Sequence, residues 1–465
     1  MKDIVNKLDL LGVPGNGLSW ERIESYASNY ELYALPRMVD SILDIAPTFK
    51  LSDHQQKAWN KIKVWLSNSE SYFVLRGYAG SGKSYLLSLL AKEKGTTYFT
   101  APTNKATKVL SKFTKTEAKT IYSLLGIRMQ QVEDKLQLEF SDTPPYFPRN
   151  SVIVIDESSM LGHELLRFII NTVKRTGCKI LFVGDPAQLP PVGEPRTLAW
   201  SVTTDKANKS FMKQVIRYDN QLLSLATKIR ENLGNGDYYS PIEDDNDGGE
   251  GVFLYKKRQW LDLLNEYTNP TMFNDTKIIA WRNKTVNAYN QWIRDNLGFK
   301  NVYEVGDIVL IAEPVEKYGQ IIATIDDEYT ITNVGTSAVT IEVDSKEEYV
   351  NTYSLTLEDS EGDTILINIP INMVTVQNIL AYKASLAREA KGSERKELWK
   401  DFWDTKHKFH SVRYGYAITA HRAQGSTYKT VFVDQQDIMA NSNKREALRC
   451  LYVACTRPTT SLITF

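Results

Sequence analysis

From about Leu51 the chain alternates short apolar runs with amphipathic stretches of helical period. Phe73–Arg76 leads into a Gly-rich turn and then a helix from Lys83, and Thr97–Ala101 leads into a helix from Asn104. Val152–Ile155 and Ile180–Val183 are continuous apolar runs of the kind that fill a sheet covered on both faces. Alternation of this sort predicts a parallel α/β sheet. Ile127–Phe140 holds two partly alternating stretches on either side of Glu133-Asp134, which predicts a protruding β-hairpin. The acidic, Gly-rich stretch 243–251 reads as a solvated loop.

Strand and helix signals resume at Ile278–Trp281 and Thr285–Asn296. Residues 303–370 change character, with short strands expected at Ile308–Ile311, Tyr329–Thr332, Val339–Val343 and Thr364–Ile369. Turn residues separate them, which suggests a small all-β insertion. A charged helical stretch, Ala384–Thr405, follows, and the α/β pattern returns at Tyr414–Thr419 and Val431–Val433. The expected organisation is an N-terminal extension 1–50, a first α/β domain 51–208 with a hairpin insertion at about 122–150, a second α/β domain split between 209–302 and 406–465, and a β insertion 303–405. The extension has a helical pattern over Trp20–Tyr33, then Pro36 and Pro47, and nothing in it points to a role.

Lys+Arg and Asp+Glu both number 56, so the formal net charge is zero. That excludes a binder held by bulk charge and leaves a local basic groove as the only form a nucleic-acid site can take. Three cysteines, Cys178, Cys450 and Cys455, with no CxxC pair, argue against a disulfide framework or a zinc site. The N-terminus MKDIVNKLDLLG lacks an apolar signal core, and no apolar run is long enough for a bilayer. The expectation is a soluble protein of the cytoplasm, or of the host cytoplasm if the source is viral.

The strongest chemical signal is Gly77-Tyr-Ala79-Gly80-Ser81-Gly82-Lys83-Ser84, which fits G-x-x-x-x-G-K-[ST] where a strand meets a helix. Glycines let successive backbone N–H groups turn toward phosphate oxygens, and the helix N-terminus adds partial positive charge. Lys83 supplies a point charge to β- and γ-phosphates, and Ser84 a hydroxyl to Mg²⁺. Val152–Ile155 then ends in Asp156-Glu157, which would stand beside that loop. Asp156 suits the Mg²⁺ shell, and Glu157 suits orienting and deprotonating a water. ATP and Mg²⁺ are the cofactors expected. Arg217 and Arg457 are the arginines favoured to face the γ-phosphate.

With these residues in hand, the chain resembles superfamily-one helicases of the RecD/Pif-like branch, and within it the Dda-like phage helicases. The likeness runs in motif order from about Leu51 to Phe465. Leu51-Ser-Asp-His-Gln55 resembles the motif whose glutamine reads adenine, with Gln56 as its neighbouring alternative. Ala101-Pro102-Thr103-Asn104-Lys-Ala106 resembles motif Ia, and Lys119-Thr120-Ile121-Tyr122 the next strand-contacting motif, with Tyr122 where the family usually has histidine. Gly184-Asp185-Pro-Ala-Gln188-Leu-Pro-Pro191 resembles motif III, whose glutamine senses the γ-phosphate, and Val215-Ile216-Arg217 resembles motif IV. Ala280-Trp-Arg-Asn283 resembles the segment that opens the second domain's strand contacts. Thr419-Ala-His421-Arg-Ala-Gln424-Gly425-Ser426 resembles motif V, and Leu451-Tyr452-Val-Ala-Cys-Thr456-Arg457 motif VI. Cys455 and Pro458 depart from the usual residues, and Pro458 forces Arg457 to a helix end.

The resemblance implies two RecA-like P-loop domains with parallel sheets, a β-hairpin pin in the first and an SH3-like β-barrel insertion in the second. It implies an ATP-dependent 5′-to-3′ DNA helicase acting as a monomer on single-stranded and fork DNA. A single-strand-binding or replisome protein is a further expected partner. Lys83, Glu157, Gln188, Arg217 and Arg457 are then the catalytic candidates. Gln55, Gly77, Ala79, Gly80, Ser81, Gly82, Lys83, Ser84 and Gly425 would hold the nucleotide. Pro102, Thr103, Asn104, Thr120, Asn283 and His421 would meet the strand, His421 having a structural link to the nucleotide site as its alternative role. Two other readings stay open at this level. One is a P-loop enzyme of another class, such as a nucleotide kinase, which has no use for motifs III and V. The other is a helicase-like NTPase that binds single strands without productive unwinding.

Overall fold

The computed structural model describes residues 51–465, apart from 94, 133–134, 142, 215–220, 236–238, 268 and 318–319. The expected helix at Trp20–Tyr33, the hairpin tip Glu133-Asp134 and the segment Val215-Ile216-Arg217 lie outside the described residues. The chain divides into two compact units, Met1–Asp53 and His54–Phe465, and the second holds both sheets and the insertion. No helix among the described residues is long and apolar enough to cross a membrane.

The first lobe opens with α1 (Asp53–Ser67), β1 (Tyr72–Gly77) and α2 (Lys83–Leu90). It continues through β2 (Thr97–Ala101), α3 (Asn104–Thr114), β3 (Ala118–Thr120) and α4 (Ile121–Leu125). The hairpin β4 (Ile127–Val132) and β5 (Lys135–Phe140) follows, then β6 (Val152–Ile155), α5 (His163–Thr176), β7 (Lys179–Gly184) and β8 (Lys209–Met212). The sheet order is β3-β2-β6-β7-β1-β8, and every pairing is parallel. Every residue of β6 and β7 is buried, as a central strand covered on both faces demands. The loops after β1, β6 and β7 leave neighbouring strands at one edge of the sheet, where such folds place ligands.

The second lobe begins with α6 (Gln221–Gly234), β9 (Asp245–Asp247), β10 (Glu250–Leu254), α7 (Lys257–Asn265), β11 (Thr276–Ala280) and α8 (Asn283–Asn296). The acidic stretch expected to be a loop therefore forms an edge hairpin. Its side chains are exposed, but β10 pairs in parallel with a strand near the C-terminus, and that long-range pairing overrides the local polarity.

The insertion comprises β12 (Ile308–Ile311), β13 (Val315–Lys317), β14 (Gln320–Ala323), β15 (Glu328–Val343), β16 (Lys346–Glu358) and β17 (Thr364–Pro370). Two helices, α9 (Met373–Glu389) and α10 (Gly392–Lys406), and β18 (Val412–Tyr414) complete it. Its main sheet runs β17-β16-β15-β12-β18, all antiparallel. The two strands expected at Tyr329–Thr332 and Val339–Val343 are one 16-residue strand. The helical stretch expected from Ala384 starts earlier and is broken into two at residues 390–391.

The chain then returns to the second lobe through β19 (Ala417–Thr419), β20 (Tyr428–Val433), α11 (Gln435–Met439), α12 (Lys444–Cys455) and β21 (Pro458–Thr464). This sheet runs β19-β11-β20-β21-β10-β9, parallel except for β9. The insertion departs and re-enters at one buried knot. Asp307 accepts from Arg294 Nε at 3.1 Å and from the Tyr416 hydroxyl at 2.9 Å, and all three residues are buried. The architecture is two RecA-like P-loop sheets, a hairpin in the first and a β insertion in the second.

Candidate nucleotide and nucleic-acid site

The loop between β1 and α2 bends because Gly80 and Gly82 take positive φ values of 73° and 83°, which cost a side chain but not glycine. Gly77 must lack a Cβ for a different reason: one placed there would lie 2.6 Å from Ser81 Oγ. The Ser81 hydroxyl is fully buried and has no hydrogen-bond partner among the described residues. An orphaned buried hydroxyl in a phosphate-type loop fits a ligand that arrives with acceptor oxygens. Lys83 folds back on the loop, its Nζ donating to the carbonyls of Gly77 at 2.8 Å and Tyr78 at 3.1 Å. Ser84 follows in the first turn of α2.

Asp156 and Glu157 leave the end of β6 beside this loop. Glu157 holds φ 49°, a left-handed conformation that costs about 1–3 kcal/mol for a non-glycine residue. Burial and the Asp156 carboxylate push its carboxyl up to about 7, against the opposing pull of Arg457 and Lys83. Burial also raises Asp156, with Lys83 pulling the other way. Glu157 therefore feels both the loop lysine of the first lobe and Arg457 of the second.

Arg457 sits just past the C-terminus of α12, with only 5% of its surface exposed. Its Nε donates to the Val453 carbonyl at 3.1 Å, and its terminal nitrogens to the Ser426 carbonyl at 3.0 Å and Thr456 Oγ1 at 2.9 Å. Pro458 opens β21 immediately after it. Gln188 is buried at the end of the β7 loop and accepts from Gln424 Nε2 at 3.1 Å. The same amide reaches Ser159 Oγ and the Leu189 carbonyl, each at 3.2 Å. Gly425 is held to glycine by its φ of 78° and faces the first lobe, where a Cβ would make ordinary contact with Ala106 Cβ at 3.4 Å and Thr103 Oγ1 at 3.5 Å.

Two residues missing from the expected site join the lobes most directly. Asp185 Oδ2 accepts from the Ala79 N–H at 2.8 Å and from the Tyr452 hydroxyl at 2.5 Å. The Tyr452 oxygen also lies 3.2 Å from the Ala79 nitrogen. Phosphate loop, β7 loop and α12 thus meet on one carboxylate. Asp185 lies in the Gly184–Pro191 string and Tyr452 in Leu451–Arg457, but nothing in a linear string pairs positions 267 apart.

The remaining candidates are more dispersed. Gln55 is buried in α1. Pro102, Thr103 and Asn104 form the turn into α3, where Thr103 caps the helix by accepting from the Ala106 N–H. Thr120 caps α4 in the same way through Ser123. Asn283 stands exposed at the first turn of α8. His421 lies 3.8 Å from Glu446, and burial lowers its pKa from the ordinary 6.5 although Glu446 opposes the shift. Cavities of about 760 and 350 Å³ share Pro190, Pro191, Val192, Glu194 and His421 as walls. The larger extends to Arg445 and Arg449, and the smaller to Tyr122 and Leu138 at the hairpin, so a groove crosses both lobes. The phosphate loop lines neither cavity.

The AAA domain family matches residues 50–243, the Dda helicase SH3 domain residues 310–414, and the UvrD-like helicase C-terminal domain residues 414–463. An uncharacterized protein of Acanthamoeba polyphaga mimivirus is 27% identical, the alignment covering 87% of this chain and 97% of that protein. The ATP-dependent DNA helicase dda of Enterobacteria phage T4 is 26% identical over 88% of this chain and 97% of its own. Among solved structures, the Bacteroides Pif1 helicase in complex with ADP-AlF3 and ssDNA aligns at 16% identity and a TM-score of 0.49, covering 90% of this chain and 92% of that one. The three domain matches fall in chain order on the first lobe, the β insertion and the returning half of the second lobe. Along most of its length the chain is thus similar to superfamily-one helicases of the Dda-like kind.

Proposed function

We propose that the protein is an ATP-dependent DNA helicase that moves 5′ to 3′ along single-stranded DNA and unwinds duplex. The observation that carries this reading is the Asp185 carboxylate, which ties the phosphate loop to α12, so that nucleotide occupancy and the position of the second lobe are linked. The relatives supply the substrate class, since the phage T4 protein is named an ATP-dependent DNA helicase.

ATP would lie on the Gly77–Ser84 loop, with Lys83 leaving its loop carbonyls for the phosphates and Gln55 as the adenine reader. Ser84 and Asp156 are hard oxygen donors and would hold Mg²⁺, which when bound neutralises charge on the phosphates. Glu157 orients a water and takes its proton as the water oxygen bonds to the γ-phosphorus. The bond from that phosphorus to the bridging oxygen breaks, and ADP leaves with the electron pair. Burial raises the Glu157 carboxyl above the usual glutamate value, which favours its taking a proton. Gln188 positions the γ-phosphate side, and Arg457, released from the Ser426 carbonyl, swings onto the developing charge with Arg217. Closure of the lobes delivers these arginines, and reopening after hydrolysis advances the strand.

The strand would pass through the groove shared by the two cavities, meeting His421 there and Pro102, Thr103, Asn104, Thr120 and Asn283 outside it, with the hairpin as the separating pin. Fork DNA is the substrate, a monomer the working unit, and the cytoplasm, or the host cytoplasm for a viral source, the compartment. A single-strand-binding or replisome protein would supply the tract.

The deciding experiment is unwinding of matched duplexes with 5′ or 3′ single-stranded tails, with ATP hydrolysis followed in parallel. ATP-dependent opening of the 5′-tailed duplex alone is expected. Opening of the 3′-tailed duplex alone would refute the polarity. Strand-stimulated hydrolysis with neither duplex opened would leave a single-strand-binding NTPase.

A further inference from the structure

The turn between β14 and β15 presents three consecutive carboxylates, Asp326, Asp327 and Glu328, and each meets a different part of the motor. Asp326 reaches Arg422, next to His421, at 3.4 Å. Asp327 Oδ2 accepts from Asn104 Nδ2 at 3.0 Å at the start of α3, and Asn104 also donates to Thr324 Oγ1 at 2.9 Å. Glu328 divides its two oxygens. One lies 3.3 Å from Lys105 Nζ in α3 of the first lobe, and the other 3.1 Å from Lys277 Nζ in β11, in the sheet of the second lobe.

The setting makes Glu328 more than a surface ion pair. The Lys277 side chain is fully buried, and those of Glu328 and Lys105 are 23% and 25% exposed. Lys277 also donates to the Phe273 carbonyl at 3.2 Å, which fixes where its ammonium points. Burial pushes Glu328 upward, but the two lysines outweigh it and hold the carboxyl below the usual glutamate value. Burial lowers Lys277, and Glu328 offsets only part of that. A single carboxylate therefore compensates cations belonging to two bodies that the proposed cycle moves against each other. An interaction in this low-dielectric setting depends strongly on distance, so a change in lobe separation is felt at Glu328. Asp327, its chain neighbour, passes the displacement to Asn104 at the strand-contacting turn.

We propose that Glu328 is a positioning residue that couples the two motor lobes through the β insertion, converting their relative movement into a shift of the Asn104 turn against the DNA strand. This rests on the helicase reading above.

Two variants test it, each assayed for thermal stability, strand-free ATP hydrolysis, strand-stimulated hydrolysis and base pairs opened per ATP. Glu328→Gln is nearly isosteric but satisfies only one lysine. It is expected to keep strand-free hydrolysis and to lose roughly tenfold in stimulation and in base pairs per ATP. The double variant Lys277→Gln with Glu328→Gln removes the fully buried cation together with its counter-charge and leaves only Lys105 unmatched, so part of the lost stability should return while the coupling defect persists. The double variant also keeps the test open if Glu328→Gln alone does not fold. Unchanged coupling in either folded variant, including recovery of coupling together with stability in the double one, would overturn the proposal by reducing Glu328 to a buried counter-charge. A wild-type protein that opens no duplex would instead refute the helicase reading itself, so the two failures are distinguishable.

Discussion

At the scale of single residues, the site works by shared acceptors. Asp185 holds the Ala79 N–H and the Tyr452 hydroxyl on one oxygen, while its other oxygen takes the Ala187 N–H at 2.9 Å. Tyr452→Phe removes the second-lobe donor and leaves both backbone donors in place. A hydrogen bond to a charged group is worth about 1.5–3 kcal/mol, so the apparent ATP affinity should fall on the order of tenfold with the fold intact. Measured ATP KM within twofold of wild type would rule out that bridge. Lys83→Ala should abolish hydrolysis while single-strand binding by fluorescence anisotropy persists, because Lys83 belongs to the phosphate loop and not to the groove. His410 is the residue to watch on acidification. Burial depresses its pKa below 6.5, although the Asn368 carbonyl 3.3 Å from Nδ1 and the charge of Glu313 push the other way. Above pH 6.5 the imidazole is neutral folded or unfolded. Between 6.5 and its lower folded value only the unfolded chain takes the proton, so stability is lost as pH falls through that window. The melting temperature of wild type should therefore drop more between pH 7 and 5.5 than that of His410→Asn, and equal slopes would exclude the effect.

At the scale of elements, the knot at the root of the insertion sets the strongest stability prediction. Arg294 and Asp307 are 3% and 0% exposed, and Asp307→Ala would strand a buried guanidinium. Breaking a buried pair by removing one partner costs about 3–5 kcal/mol, which chemical denaturation would read directly. The hairpin carries a functional prediction instead. Its base is anchored by Phe140 against Phe168 at 4.8 Å, with the Arg175 guanidinium 5.3 Å from the Phe140 ring, so the rest can be shortened without disturbing α5. Replacing residues 130–137 by a short glycine-containing turn, which spares Leu138, should leave strand-stimulated hydrolysis and stop unwinding. Retained unwinding would remove the pin from the mechanism.

These elements were legible in the sequence to very different degrees. Val152–Ile155 announced itself because a strand buried on both faces has no polar side to dilute the signal. The long strand β15 did not, because its middle, Asn333–Thr340, carries no buried residue and so no period-two alternation. Neither did β16, whose first four residues are all exposed. The edge strand Asp245–Asp247 looked like loop for the same reason, and exists through pairing with Glu250–Val252. Within the site, the residues of the Gly77–Ser84 loop and the Asp156-Glu157 pair were readable from motif letters. Residues whose partners are other side chains far along the chain, such as Asp185 with Tyr452 or Gln424 with Gln188, were not.

For the whole molecule, a neutral chain must concentrate cations locally to hold a polyanion. The groove brings together Arg196, Arg445 and Arg449, beside Glu194 and Glu446. Strand affinity should fall linearly on a log–log plot against salt, with a slope set by the number of phosphates neutralised, and with little dependence on base sequence. A salt-independent affinity would place the strand elsewhere. The β insertion bears on this through how it is mounted. At one end it is welded to the second lobe by a dry guanidinium–carboxylate–phenol joint, and at the other it rests on the first lobe through Lys108, paired with Asp359 at 3.1 Å, and through Asn104. A strut fixed at one end and merely seated at the other cannot slide freely when its supports approach. It must pivot, and the free end of the lever is the one seated on the Asn104 turn.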